Sequence, residues 1–240
     1  MKIKTLFISD VHLGSSNSSP KKLLEVFKMY DFEKLVIVGD LIDLTSLSRK
    51  FYWNSDHSAI IQKILKFSRK GVKVIYILGN HDYYIRGLIE DGPISLGDIV
   101  ICDEHIHNSI TGERIYITHG DSFDGFIRMH PLIYFLGDRA YYLSVYINGI
   151  YNKIRGLFGL RYWSLSSYLK TKVKNVVKFI SEYEKMSKEK LLEMDCDSIM
   201  IGHTHTPDIQ IGKYYNTGDF CETCSYIIED LEGNLILKFV

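Results

Sequence analysis

Cysteine is scarce in this chain, with four in 240 residues. That is too few for a disulfide framework in a protein of this size, so a reducing compartment is expected. Cys221-Glu222-Thr223-Cys224 has the spacing of a redox pair or of half a zinc site. Cys102 and Cys196 stand alone, so no second pair completes that zinc site. Net charge is also missing, because 29 Lys and Arg balance 29 Asp and Glu, and bulk electrostatics suggest no nucleic-acid partner. No apolar run approaches the roughly 20 residues needed to span a bilayer. Met1-Lys2-Ile3 runs straight into a strand pattern, leaving no room for a signal peptide, and a cytoplasmic protein is expected. Internal repeats and low-complexity tracts are absent as well. What remains is an ordinary globular composition, 46% hydrophobic and 24% charged, with length for one domain or one domain plus a helical insertion.

The chain is better supplied with histidine, nine in all, and several fall in short polar motifs that follow strand patterns. Ile3 to Ser9 reads as a strand delivering Asp10-Val11-His12, and alternation puts Asp10 and His12 on one side of the extended chain. Ser19-Pro20 is a helix start, with serine as cap and proline in the first turn, for a helix to about Tyr30. Lys34 to Val38 is a second buried strand and ends in Gly39-Asp40-Leu41-Ile42-Asp43. A helix from about Ser55 to Lys70 stops at Gly71. The β-branched and aromatic run from Val72 to Leu78 is a third strand, followed directly by Gly79-Asn80-His81-Asp82. Strand, helix, strand, helix, strand is a parallel α/β start, and chemistry in such folds gathers at the carboxyl ends of the strands. Short strands follow at Ile99 to Cys102, Ile106 to Ile110 and Arg114 to Thr118, the last releasing His119-Gly120-Asp121. Phe126 to about Lys190 is mainly helical in pattern. Strands then resume, with Ser198 to Ile201 yielding Gly202-His203-Thr204-His205-Thr206-Pro207, followed by Lys213 to Asn216, Ser225 to Glu229 and Leu235 to Val240.

Each motif alone is equally well a polar turn or a helix cap. Together Asp10, His12, Asp40, Asn80, His119, His203 and His205 offer two carboxylates, an amide oxygen and four imidazoles, each placed after a strand. One ion takes four to six donors, so this set suits two divalent ions sharing a bridging carboxylate. Oxygen and nitrogen donors without thiolate favour Mn, Fe, Zn, Co or Ni over calcium or a structural zinc. Two ions roughly 3.5–4 Å apart clamp a phosphoryl group and activate a water.

These five motifs in this order resemble the signature of calcineurin-like metallophosphoesterases, over residues 10 to 205. The resemblance implies an α+β fold: two mixed β-sheets packed as a sandwich flanked by helices, a four-layer αββα arrangement. It is expected as one domain over 1–240 with a helical insertion at about 126–190. By the same pattern Asp10, His12 and His205 hold one ion, Asn80, His119 and His203 hold the other, and Asp40 bridges them, with manganese the first choice. His81 is then a catalytic residue that donates to a phosphate oxygen or protonates the leaving group, and Asp82 orients it. More narrowly, Asp121-Ser122-Phe123-Asp124, the segment Asn152 to Lys170 with Tyr162-Trp163-Ser164-Leu165, and Asn216-Thr217-Gly218-Asp219-Phe220 are similar to the UDP-2,3-diacylglucosamine diphosphatase branch. That implies a nucleotide-linked lipid pyrophosphate as substrate, split to UMP and a lipid A precursor. His81 departs from the pattern, since the best-known lipid A enzymes have arginine there. A phosphodiesterase or phosphomonoesterase with a soluble substrate, and a scaffold that binds partners through the insertion, stay open beside it.

The insertion carries twelve Lys and Arg against four Asp and Glu, a formal +8 in a neutral protein, interleaved with aromatics such as Tyr134, Tyr141, Phe158 and Trp163. Basic helices with apolar faces suit a lid over an anionic, greasy substrate, or peripheral contact with an anionic membrane, here the inner membrane. A solvated charged face is the plainer reading. Nucleic acid is not the expected partner, because no recognisable binding motif accompanies the charge.

Overall fold

The structure is a computed structural model that describes residues 1–123, 146, 148, 149, 151–153, 155 and 189–240. They fall into two compact units, 1–121 with 190–240, and 122–189. Most of the expected helical insertion, with its basic and aromatic residues, lies outside the described residues; those described between 146 and 155 are helical. Everything below concerns the first unit.

Its chain opens as the hydrophobic pattern predicts. β1 (Lys2–Ile8), α1 (Pro20–Met29), β2 (Asp31–Val38), α3 (Ser55–Arg69) and β3 (Lys73–Ile77) alternate, with a short α2 (Leu44–Arg49) before α3. α1 begins at Pro20, but the Ser19 side chain makes no capping hydrogen bond. α3 is capped by Asn54, whose side chain accepts from His57 N at 3.0 Å. α4 (Tyr83–Arg86), β4 (Ile94–Leu96), β5 (Ile99–Cys102), β6 (Glu104–Asn108) and β7 (Arg114–Thr118) complete the first part. After residue 189 come β8 (Ser198–Ile201), β9 (Asp208–Gln210), β10 (Tyr214–Asn216), β11 (Ser225–Glu229) and β12 (Leu235–Phe239).

These strands build two mixed sheets, ordered β12-β11-β1-β2-β3-β5-β4 and β6-β7-β8-β10-β9. In the larger sheet β1, β2, β3 and β5 run parallel; in the smaller, β7, β8 and β10 do. The central strands are buried on both faces, and period-two alternation divides their side chains between two cores. Phe7, Val36, Ile75 and Ile227 face Ile115, Ile117, Met200 and Tyr215 between the sheets. Leu6, Ile8, Leu35, Ile37 and Val74 point the other way, onto Leu23, Val26 and Phe27 of α1 and Ile60 and Ile64 of α3. Residues 190–194 are helical against the outer face of the smaller sheet, where Lys190 Nζ lies 5.7 Å from the centre of the Tyr116 ring. The arrangement is therefore helix, sheet, sheet, helix, as the sequence predicts.

One end of the inter-sheet core is closed by charge. Glu229 is fully buried and accepts from Thr5 Oγ1 at 2.6 Å, His107 Nε2 at 3.0 Å and Ile110 N at 3.0 Å. Lys34 Nζ lies 3.1 Å from His107 Nδ1. An ammonium only donates, so Nδ1 accepts and the proton sits on Nε2, facing Glu229. This chain of bonds ties edge strand β6 of one sheet to β1, β2 and β11 of the other.

Candidate metal centre

The opposite edge of the sandwich, where β1, β2, β3, β7 and β8 end, gathers the polar motifs. Asp10 and His12 follow β1, Asp40 follows β2, Asn80 follows β3, His119 follows β7, and His203 and His205 follow β8. Adjacent parallel strands place their carboxyl ends side by side, so motifs far apart in sequence meet. The polypeptide leaves each strand abruptly. Asp10, His12, Asp40, His203 and His205 all have left-handed backbones, with φ between 49° and 56°. Non-glycine residues seldom adopt that conformation, and where it clusters the surroundings must hold it. Here they do: Asp10 N donates to Gly39 O at 3.1 Å, His12 N to Asp40 O at 2.9 Å, and His203 N to Asp10 Oδ2 at 3.0 Å. Asp10 and His12 do converge, but through this twist and not through strand alternation.

The glycines of the motifs make room for side chains of other motifs. A Cβ on Gly79 would collide with Asp40 Oδ1, and one on Gly39 would collide with the His119 ring. Each motif is thus shaped around the side chain of another.

Three sets of atoms converge. Donor atoms of Asp10, His12 and His205 lie within 4.8 Å of one another, as do those of Asp10, Asp40 and His119. Asp40 Oδ2 sits between them, 3.7 Å from His12 Nε2 on one side and 3.3 Å from His119 Nε2 on the other. Asn80 Oδ1 joins the second set at 3.3 Å from His119 Nε2, and the His203 ring centre is 5.1 Å from that of His119. The third set, His12, Asp43 and His81, is of a different kind. Asp43 is already engaged, accepting from Ser46 N at 2.7 Å and Ser46 Oγ at 2.6 Å while His81 Nδ1 lies 2.8 Å away. It anchors two imidazoles and offers no open face.

The residues fit divalent ions on chemical grounds. His119 Nδ1 lies 2.9 Å from Val38 O, and a carbonyl only accepts, so this nitrogen carries the proton. That leaves the Nε2 lone pair facing Asp40 Oδ2 and Asn80 Oδ1, three electron-rich atoms reconciled by a cation or an added proton. In the ion-free protein the proton takes that place: burial opposes charge on His119, but Asp40 and Asp10 outweigh it and raise its pKa to about 10. Asp10 Oδ1 and His12 Nε2 are buried polar atoms without a hydrogen-bond partner, 3.7 Å apart. Buried groups of this kind are costly unless something binds them. Burial alone would raise the Asp10 pKa, yet His205 and His119 hold it well below the usual carboxylate range.

Residues 3–207 match the family model of calcineurin-like phosphoesterases. The chain belongs to that family. Among curated proteins, the UDP-2,3-diacylglucosamine hydrolase of Histophilus somni (strain 129Pt) is 32% identical over 128 residues, 50% of this chain and 50% of that one. The chain thus spans about half the length of that relative. The hydrolase of the same name from Aeromonas hydrophila is 24% identical over 225 residues, 86% of this chain and 83% of its own. A solved archaeal phosphodiesterase is 15% identical, with a TM-score of 0.46 over 99% of this chain and 100% of its own.

Within this calcineurin-like site, one expected contact is replaced. Asp82 accepts from Ile42 N at 3.1 Å and Gly79 N at 3.3 Å, holding the loops after β2 and β3 together. It does not orient His81; Asp43 does, and it also lies 3.6 Å from His12 Nδ1. The reason is geometric, since α4 starts at Tyr83 and Asp82 is its cap position, turned inward and fully buried. Burial, with Asp40 nearby, pushes the Asp82 carboxyl up to about 7. Asp43 goes the other way: burial raises its pKa, but the close imidazoles of His12 and His81 carry it far below the carboxylate range. Arg86 leaves no signal in the sequence, and Asp121 stands there only as a motif residue. Arg86 grips Asp121 with two nitrogens, at 2.9 and 3.1 Å, and so fastens the end of β7 to the loop after β3. The Cys221 thiol is pushed well up by burial and by Asp219, which disfavours the thiolate needed for redox exchange or metal ligation.

Proposed function

We propose that the protein is a two-ion hydrolase of phosphate ester or pyrophosphate bonds, acting on UDP-2,3-diacylglucosamine or a similar nucleotide-linked lipid. The observation that carries the reaction class is Asp40 Oδ2 at 3.7 Å from His12 Nε2 and 3.3 Å from His119 Nε2, where one carboxylate would serve two ions. Asp10, His12 and His205 would hold one ion and Asn80, His119 and His203 the other. Bound divalent ions, manganese foremost, supply Lewis acidity and lower the pKa of a water.

His81 does the rest of the chemistry. Its Nδ1 is pinned by Asp43, leaving Nε2 to meet a substrate oxygen. Burial disfavours charge on the ring, yet Asp40 and Asp43 raise its pKa above the ordinary value, which suits an acid that protonates a departing oxygen.

The lipid substrate is supported by the two relatives named for it and by the basic, aromatic composition of residues 126–190. That composition also suits contact with anionic lipid headgroups. Among the described residues, no helix is long and apolar enough to cross a membrane. His81 itself favours a second reading, a soluble phosphoester, because arginine holds its position in the best-known lipid A enzymes.

The test is an assay of manganese-loaded protein on UDP-2,3-diacylglucosamine and on an aryl phosphodiester. Turnover of the lipid supports the first reading, and turnover of the aryl ester alone supports the second. Hydrolysis of neither would overturn both. Sedimentation with anionic liposomes checks the membrane contact, and protein left in the supernatant would reject it.

A further inference from the structure

We infer that Asp219 is the positioning residue of His205, and that the turn it organises, residues 218–223, is the outer support of one metal centre. This deepens the two-ion reading and rests on it.

Asp219 is fully buried. Its Oδ1 accepts backbone N–H groups from Cys221 at 2.7 Å, from Glu222, and from Thr223 at 3.2 Å. A carboxylate oxygen holding three amides is fixed in place. Its other oxygen is thereby aimed, 3.0 Å from Thr223 Oγ1 and 3.7 Å from His205 Nδ1. The last distance is charge contact and not yet a hydrogen bond; a shift of roughly half an ångström or more makes it one. His205 Nε2 points the opposite way, 3.2 Å from Asp10 Oδ1, at the cluster it shares with His12. An imidazole that coordinates through Nε2 needs its proton on Nδ1, and an acceptor beside Nδ1 selects that tautomer.

The same turn grips the other side of the cluster. Phe220 N donates to the Asp10 carbonyl at 3.1 Å, and Cys221 Sγ lies 3.8 Å from the same oxygen. Ser9 Oγ donates to Gly218 O at 2.9 Å, which ties the end of β1 back to the turn. Asp10 and His205 are therefore both set by one short segment. The first three residues of the Cys-x-x-Cys stretch wrap Asp219, with the amides of 221 to 223 turned inward.

The test is Asp219→Asn. The variant keeps an oxygen for the three amides but offers His205 an N–H where only an acceptor serves. Metal-free protein is titrated with Mn²⁺ by calorimetry, and ¹⁵N-histidine spectra are recorded on the apo and Zn²⁺-loaded forms. The expected result is a variant still folded without metal, one site weakened about 10–100-fold, and the other site as in the wild type. His205 Nδ1 should carry a hydrogen-bonded proton in Zn²⁺-loaded wild type, and in the variant that hydrogen bond should be lost. In a His205→Ala background, Asp219→Asn should weaken the metal no further. Equal affinities in variant and wild type, or additive losses in the double variant, would overturn the inference. If Asp219→Asn does not fold, the wild-type spectrum alone decides, since a proton on His205 Nε2 contradicts the assignment. Wild type binding fewer than two ions would instead sink the two-ion reading.

Discussion

His81 Nδ1 lies 2.8 Å from Asp43 Oδ1, whereas Asp82, its neighbour in sequence, spends both oxygens on backbone amides. The carboxylate that sets the imidazole thus comes from the loop after β2, and the one beside it in the chain is structural. Removing each should have different consequences. His81→Ala should lower kcat by about 10²–10⁴ with two ions still bound. Asp43→Asn removes a partner that raises the His81 pKa, so the protonated ring is lost at lower pH. The alkaline limb of the pH–kcat profile should move down accordingly. Asp82→Asn should leave that limb in place, and a shift there would contradict the division of roles.

Asp40 faces both halves of the cluster. Asp40→Ala should therefore weaken both ions, and His205→Ala only one, as read by metal titration with elemental analysis. Gly79→Ala should resemble the Asp40 variant, because its methyl group would occupy the space of Asp40 Oδ1. Two ions at full affinity in Asp40→Ala would remove the bridging role.

Protons and metal compete at His119. Its pKa is near 10 without ions, burial opposing and the Asp40 and Asp10 carboxylates raising it, so the ring is charged at pH 7. Binding an ion through Nε2 must expel that proton. Affinity should rise with pH, and calorimetry in buffers of different ionisation enthalpy should show about one proton or more released. Mn²⁺ at a hundred times its Kd should also add about 2.7 kcal/mol of stability per ion, which EDTA removes.

Glu229 offers a stability test far from the metal. Burial alone would raise its pKa, but hydrogen bonds from His107 and Thr5 lower it below the ordinary value. A depressed acid stabilises the fold above its unfolded pKa, and that contribution disappears as pH falls through the folded value. Urea midpoints should therefore fall below about pH 4.5, the region where an unpaired glutamate titrates. Glu229→Gln should flatten that acid arm and cost roughly 1–3 kcal/mol at pH 7. An unchanged arm would place the acid sensitivity elsewhere.

The candidate ligands are legible because each follows a buried run that ends in a polar cluster, a pattern read directly from residues such as Lys34 to Val38 and then Asp40. Asp43 was harder to see, since it also caps α2 and a cap is the simpler explanation of an aspartate there. Asp219 is hidden for a similar reason: a carboxylate next to glycine reads as a turn, and it is one. α2, α4, β4 and β9 are too short to leave a periodic trace. Nor does a sequence show that Asp10 and His12 reach each other through left-handed backbone, which Asp and His adopt more readily than most residues but still seldom. Long periodic elements announce themselves; strained joints and long-range carboxylate pairs do not.

The sheet order has a consequence for synthesis in the cell. β8 pairs with both β7 and β10, and it brings His203 and His205. When the ribosome has finished His119, five of the seven expected donors exist, but the remaining two are more than eighty residues away. At about 5–20 residues per second, that gap lasts roughly 4–17 s. Through that interval the nascent chain exposes carboxylates and imidazoles with no finished cage, so on the two-ion proposal ion capture belongs to the last stage of the protein's making.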